Sequence, residues 1–203
     1  MAISRYIVPI FSDGAFNGNG FILNNGMLVT AFHVFEKGSH FYYRYEERHF
    51  DINPDGNLFN TKKGTDCSNI SNDLYVCKTS IKGSDICLSP EFDMKEKSDY
   101  LGYDQIKESN PITDIHVSVN SILLNIGLVK TEDNRAKELV NCITCTMKLN
   151  PGNSGGPLFQ KDKVIGMLIK DSKNGGDPNR ALFIKSSFII EALGREGFNL
   201  QVI

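Results

Sequence analysis

Short apolar or alternating runs, separated by turn-forming residues, recur along the whole chain, and this pattern constrains the fold more than any other feature. Runs such as RYIVPIF, MLVTAFHVF, ILLNIGLV and VIGMLI are each too brief for an ordinary helix. Clusters such as Ser12-Asp13-Gly14 and Asn24-Asn25-Gly26 lie between them and favour tight turns. Many short strands punctuated by Gly, Asn and Asp predict an all-β sandwich or barrel.

One helix is expected, near the carboxyl end. Ser187 is a candidate N-cap for the run from Phe188 to Leu193, which we expect to stop at Gly194. Residues 91 to 111 are more polar and charged than their neighbours, so a connection between two β units is predicted there, with a boundary near residue 100. A chain of 203 residues can bury one large core or two small ones that share an interface.

Charge and cysteine content argue against several functional classes. The net charge is −2, and the 22 basic residues are scattered among 24 acidic ones, so nucleic acid is not an expected partner. No apolar run approaches the ~20 residues that span a bilayer, and the amino terminus lacks the apolar core of a secretory signal. These features predict a cytoplasmic protein without a membrane partner; they leave a leaderless route of secretion open, and they do not indicate the oligomeric state.

The five cysteines support the same compartment because their count is odd and their spacing irregular. They are Cys67, Cys77, Cys87, Cys142 and Cys145. The last two form a CxxC, which could hold half a zinc site or act in thiol exchange. No second pair stands at a suitable spacing, so two small strand residues are the favoured interpretation.

The segment PGNSGGPL, residues 151 to 158, is the strongest local signal of chemistry. A nucleophilic serine needs a tight turn that presents its oxygen, and N–H groups aimed at the oxyanion formed on attack. Glycines on both sides of Ser154 permit this geometry. We therefore predict Ser154 as nucleophile, with an oxyanion hole formed by Gly152, Asn153 and Ser154, in which the N–H groups of Gly152 and Ser154 converge.

A serine nucleophile needs a base and a group that orients the base. His33 follows the apolar run that begins after the Asn25-Gly26 turn, and a rigid strand is expected to hold it. Asp73 lies where a polar loop ends and an alternating strand begins. The other histidines (His40, His49 and His116) lie among charged or hydroxyl residues and are expected to be surface or solvent-facing groups.

These three segments resemble the His, Asp and Ser motifs of the trypsin/chymotrypsin family, in the same chain order. LNPGNSGGPLF, followed by KVIGMLIK and ALFIKSS, is most similar to the HtrA-type branch and related bacterial or viral proteases. The resemblance implies two six-stranded antiparallel β-barrels packed perpendicular to each other, with a C-terminal helix. The first, residues 1–100, would carry His33 and Asp73; the second, residues 101–203, would carry Ser154. HtrA-type proteins usually add a PDZ domain, and we expect none within this chain.

The resemblance further implies a serine endopeptidase that cuts protein or peptide substrates through an acyl-enzyme, without metal or organic cofactor. It places seven residues around the pocket for the substrate side chain: Lys148, Leu149, Asn150, Leu168, Ile169, Lys170 and Ala181. Trypsin-like relatives that cut after Lys or Arg have an aspartate at the Lys148 position, so we expect this chain to prefer substrates with a small or medium apolar side chain.

Asn153 replaces the aspartate with which secreted relatives bind a freed amino terminus, so activity should not require cleavage of the amino terminus.

Two alternatives come from different classes. The sequence from Gly152 to Gly156 also satisfies G-x-S-x-G, the nucleophile elbow of α/β-hydrolases. Chain order argues against it, because in that fold the histidine follows the serine, whereas all four histidines here precede Ser154. The other alternative is a catalytically silent binding module with a protease fold.

Overall fold

The computed structural model describes residues 3–54, 59–60, 73–104, 119–130, 136–146, 149, 152–170, 180–195 and 197. In this part of the chain the strands form two sheets, accompanied by two short 3₁₀ helices and one α-helix. The predicted fold, all-β with two antiparallel units and a C-terminal helix, is confirmed.

The first sheet has the strand order β5-β4-β1-β2-β3-β7-β6, with every neighbouring pair antiparallel. Its strands are β1 (Ile7–Ser12), β2 (Ala15–Ile22), β3 (Met27–Thr30), β4 (Phe41–Tyr45), β5 (Arg48–Ile52), β6 (Phe59–Asn60) and β7 (Tyr75–Lys78). Asp13 and Gly14 join β1 to β2 with φ values of 48° and 85°. An Asp-Gly pair favours this two-residue hairpin because both positions need positive φ. The predicted turn is confirmed.

The second sheet has the order β12-β9-β10-β11-β14-β13-β8. Its strands are β8 (Cys87–Leu88), β9 (Lys97–Tyr100), β10 (Val119–Lys130), β11 (Ala136–Thr146), β12 (Pro157–Gln160), β13 (Lys163–Lys170) and β14 (Arg180–Lys185). β12 also pairs with β13, so the six longer strands close on themselves. The two-residue β8 adds to β13 in the parallel direction.

The predicted connection at residues 91 to 111 contains a strand, β9, which belongs to the second sheet. Along the chain, the first sheet therefore gives way to the second between β7 and β8. The division into domains at residue 100 stays a prediction.

The helix α1 (Ser186–Arg195) begins where Ser186 Oγ donates a hydrogen bond to the Val164 carbonyl at 2.7 Å. It runs one residue past Gly194, the expected end. Ile189, Ala192 and Leu193 are buried and join a core cluster that extends from the first sheet into the second. A smaller cluster of buried residues, which includes Tyr100, fills the second sheet. Among the described residues, no helix combines the length and apolar character needed to cross a membrane.

Candidate active site

The pairing of β3 with β7 brings His33 and Asp73 together. Thr30, the last residue of β3, pairs with Tyr75, the first residue of β7. Because the strands are antiparallel, the residues that follow Thr30 lie opposite those that precede Tyr75. Two segments far apart in sequence therefore meet at one end of the first sheet.

The two side chains are in direct contact. One carboxylate oxygen of Asp73, Oδ2, contacts His33 Nδ1, and the other, Oδ1, accepts a hydrogen bond from the His33 main-chain N–H at 2.8 Å. The His33 side chain is 30% exposed and that of Asp73 is 18% exposed. The imidazole can thus be reached from solvent, while the carboxylate that orients it is more shielded.

The sequence predicts a strand at His33, and this prediction is wrong. His33 lies in the short 3₁₀ helix Phe32–Phe35. The first N–H groups of a helix have no partner within it. Asp73 satisfies two of them, because its carbonyl accepts from the Phe32 N–H at 3.4 Å and its carboxylate from the His33 N–H. His40 and His49 are exposed, which confirms the prediction that they are surface residues. His116 lies outside the described residues.

Ser154 lies in a turn, Gly152–Gly156, which we call the nucleophile turn. Gly152 and Gly155 have φ values of 96° and 84°, in the left-handed region that glycine adopts without steric cost. The glycines that the motif supplies are therefore needed by the backbone. Ser154 itself is half-buried between them.

The nucleophile turn binds to both sheets. On the first sheet, the Asn19 N–H of β2 donates to the Ser154 carbonyl at 2.7 Å. On the second sheet, β13 holds the turn through Leu168, whose carbonyl accepts from the Gly155 N–H at 2.7 Å and whose N–H donates to the Gly156 carbonyl at 2.9 Å. β2 pairs with β3, the strand that leads to His33. The structure thus places the Ser154 main chain beside the end of the sheet where His33 and Asp73 meet.

Three successive carbonyl groups of the nucleophile turn have partners outside it. Asn19 Nδ2 donates to the Gly152 carbonyl at 2.9 Å, and the Tyr100 hydroxyl donates to the Asn153 carbonyl at 2.6 Å. The third is the Ser154 carbonyl, held by the Asn19 N–H. The Asn153 side chain is buried and donates to the Tyr103 carbonyl at 3.0 Å. Asn153 is thus hydrogen-bonded at the position where secreted relatives would have an aspartate.

Reasoning from the sequence missed Asn19 and Tyr100. Both are fully buried. The sequence signal for both residues is weak. Asn19 is a polar residue between two glycines, in the strand that precedes the His33 segment, and Tyr100 lies in a polar and charged stretch.

The predicted pocket residues are only partly described. Leu149, Leu168 and Ala181 are buried in the core cluster of the second sheet, and Ile169 is buried in the larger cluster. Lys170 ends β13. Lys148 and Asn150 lie outside the described residues. The assignment of these seven residues to a substrate pocket stays a prediction.

Stability at alkaline pH should depend on Tyr100. Complete burial raises the pKa of its hydroxyl well above the usual value, and the nearby charge of Asp104 adds to this. The folded chain therefore favours the neutral phenol, whose contribution to stability is full below the unfolded pKa of about 10 and is lost as the pH rises through the folded pKa. Burial also raises the pKa of Tyr43 to about 12 and that of Cys77 to about 11.

We expect the free energy of unfolding to fall between pH 9 and 12, as measured by urea denaturation. Tyr100→Phe should cost about 1–2 kcal/mol at neutral pH, because the Asn153 carbonyl loses a donor. Above pH 10 its stability should fall less steeply than that of the wild type, by up to ~1.4 kcal/mol per pH unit. Parallel curves for the two proteins would contradict the role given to Tyr100.

The chain matches the family model described as Trypsin over residues 3–192. No curated protein matches it. Its fold is similar to that of the active form of the Rv3671c protease from M. tuberculosis, with 14% identity, a TM-score of 0.63, and coverage of 100% of this chain and 85% of that one. Neuropsin, a serine protease from mouse brain, shares 13% identity with a TM-score of 0.66, covering 96% of this chain and 95% of neuropsin.

The scabies mite inactivated protease paralogue S-I1 has the same fold, with 14% identity, a TM-score of 0.68, and coverage of 95% of each chain. At such identities the structures establish the fold alone. The family model, in contrast, spans nearly the whole sequence, and the chain therefore belongs to the trypsin family.

Proposed function

We propose that this protein is a serine endopeptidase in which Ser154 is the nucleophile, His33 the general base and Asp73 the residue that orients the base. The contact between His33 Nδ1 and Asp73 Oδ2, in a chain of the trypsin family, is the observation that carries the proposal. Asp73 also fixes the backbone of His33, so both the position and the tautomer of the imidazole are set.

In the proposed mechanism, Asp73 keeps the proton of the imidazole on Nδ1, which leaves Nε2 able to accept one. The Ser154 hydroxyl attacks the carbonyl carbon of the scissile peptide while its proton passes to His33 Nε2. The oxyanion is stabilised by the N–H groups of Gly152 and Ser154. His33 then gives its proton to the leaving amine, and a water molecule hydrolyses the acyl-enzyme with His33 again as base.

The fold alone does not distinguish an enzyme from a silent binding module, because the similar structures include an active protease and one described as inactivated. The residues of the proposed triad bear on the choice between an enzyme and a binding module. A histidine in contact with a carboxylate, and a glycine-flanked serine whose main chain binds β2, support the enzyme over the binding module.

Reaction with a fluorophosphonate probe tests the proposal directly, because the probe phosphonylates an activated serine. We expect the wild type to be labelled on Ser154 and the Ser154→Ala variant not to be labelled. Ser39→Ala is the control, since Ser39 is an exposed serine whose hydroxyl donates to Asp13. A folded wild type without label, or equal labelling of the Ser154→Ala variant, would favour the binding module.

Activity is expected without cleavage near Ile7. Ile7 and Val8 are buried in β1, where they pair with Phe21 and Gly20 of β2. A new amino terminus at Ile7 could reach Asn153 only if these residues left the sheet. Asn153, moreover, carries no charge to bind a terminal ammonium. The intact mass of the fluorophosphonate-labelled protein checks this expectation: labelled molecules should retain residues 1–6. If only truncated molecules carried the label, the expectation would be wrong.

A further inference from the structure

Asn19 is a fully buried asparagine in β2 whose polar side-chain groups are all used. Nδ2 donates to the Gly152 carbonyl at 2.9 Å and to the Tyr103 carbonyl at 3.1 Å, and Oδ1 accepts from the Tyr103 N–H at 2.6 Å. An asparagine amide has two N–H donors and one carbonyl acceptor. Here they bind three main-chain groups that the second half of the chain supplies.

The main chain of Asn19 adds two further hydrogen bonds. Its N–H donates to the Ser154 carbonyl at 2.7 Å, and its carbonyl accepts from the Thr30 hydroxyl at 2.6 Å. Asn19 therefore holds the carbonyl groups of both Gly152 and Ser154, the two residues whose N–H groups are the proposed oxyanion donors.

Peptide units are planar, so a partner that fixes a carbonyl also fixes the N–H of the following residue. Asn19 fixes the peptide units that follow Gly152 and Ser154. Between them lies the unit that contains the Ser154 N–H, and the Tyr100 hydroxyl fixes it through the Asn153 carbonyl. Three consecutive peptide planes of the nucleophile turn are thus held from outside.

The turn needs such partners because glycine populates positive and negative φ about equally. Gly152, with φ of 96°, has no side chain to select one conformation. An oxyanion hole works only when its donors are oriented before the charge develops. Something outside the turn must therefore choose the conformation of Gly152, and Asn19 holds its carbonyl.

We propose that Asn19 is a positioning residue for the oxyanion hole: it does not contact substrate, but it holds the Gly152–Asn153 and Ser154–Gly155 peptide units, which flank the unit that carries the Ser154 N–H. The inference rests on the proposed function. Asn19→Asp is the sharpest substitution, since it keeps the acceptor for the Tyr103 N–H but turns an oxygen toward the Gly152 and Tyr103 carbonyls. Asn19→Ala removes all three side-chain hydrogen bonds without adding charge.

Ser84→Ala is the matched control. Ser84 is buried, and its hydroxyl donates to the Ile22 carbonyl of the same strand, β2, at 2.6 Å. The Ser84→Ala substitution also removes a buried hydrogen bond from β2, at a point that is not part of the contact between β2 and the nucleophile turn. The measurements are the fluorophosphonate labelling rate, kcat and KM for a cleaved peptide, and the downfield NMR signal of the His33 Nδ1 proton, which reports the contact with Asp73.

For both Asn19 variants we expect the labelling rate and kcat to fall by about 10- to 100-fold, because a misplacement of ~1 Å at the reacting centre has effects of this size. KM and the His33 signal should remain close to those of the wild type. Ser84→Ala should label at nearly the wild-type rate.

Two results would overturn the inference while leaving the proposed function intact. One is a labelling rate of Asn19→Ala that matches Ser84→Ala. The other is loss of the His33 signal together with activity in Asn19→Ala, which would make Asn19 a structural residue. A folded wild type that fails to label would overturn the proposed function, and the inference with it.

Discussion

Replacing Asp73 with asparagine is expected to lower kcat by about 10⁴-fold without unfolding the protein, the loss known for this change in Ser-His-Asp triads. An asparagine can still accept from the His33 main-chain N–H, so the local backbone should persist. Its amide would donate to Nδ1, however, and the imidazole proton would move to Nε2. In that tautomer His33 cannot accept the proton of Ser154.

Asp13→Asn is the control, because Asp13 is also an acid that binds main-chain N–H groups. It accepts from the Ser39 and His40 N–H groups, and these bonds lower the pKa of its carboxyl. This variant should keep full kcat. Steady-state kinetics on a peptide substrate, with circular dichroism to verify folding, decide the matter. If Asp73→Asn retained more than a tenth of the wild-type kcat, Asp73 would not be the orienting residue.

Replacing Gly155 with alanine is expected to remove nearly all activity and to destabilise the fold by about 2–5 kcal/mol. The φ of Gly155 is 84°, which costs an alanine about 1–2 kcal/mol. In addition, a Cβ there would overlap the Asn19 carbonyl and the Thr30 hydroxyl, and such overpacking typically costs a further ~1–3 kcal/mol. Since the Asn19 carbonyl belongs to the backbone, relief requires the nucleophile turn to move away from β2.

Gly14→Ala separates the two causes. Gly14 has nearly the same φ, 85°, but a Cβ there would meet no atom within 4 Å. It should lose only the ~1–2 kcal/mol of the backbone conformation and keep its activity. Urea denaturation and fluorophosphonate labelling of both variants provide the test. Equal losses of stability would contradict the steric role assigned to the contact between Gly155 and Asn19.

The class of fold could be predicted because it depends on local patterns. Strand-length apolar runs, and turns such as Asp13-Gly14, are specified by residues adjacent in sequence, and the structure confirms them. The conformation at His33 could not be predicted in this way. Its apolar flanks suggest a strand, but Asp73, distant in sequence, satisfies the first N–H groups of a 3₁₀ helix. Tertiary contacts decided between two locally acceptable conformations.

The residues around the nucleophile turn show the same limit. Ser154 is visible in the sequence because its glycines meet a local requirement of the backbone. Asn19 and Tyr100 are not visible in the sequence, because each donates a hydrogen bond to a main-chain carbonyl group in a distant segment. Every residue type has such a carbonyl group. A buried side chain that recognises main chain leaves no complementary residue type for a sequence pattern to detect.

The placement of Asn19 also bears on how the protein would respond to heat. The bonds that join β2 to the segments around Gly152 and Tyr103 are the same ones that hold the proposed reaction centre. A brief parting of the two halves would break these bonds and open part of the core cluster that the sheets share, while the ladders inside each sheet survived. Such partial openings require less free energy than global unfolding. Inactivation on warming would then precede denaturation and reverse on cooling, as the halves closed again.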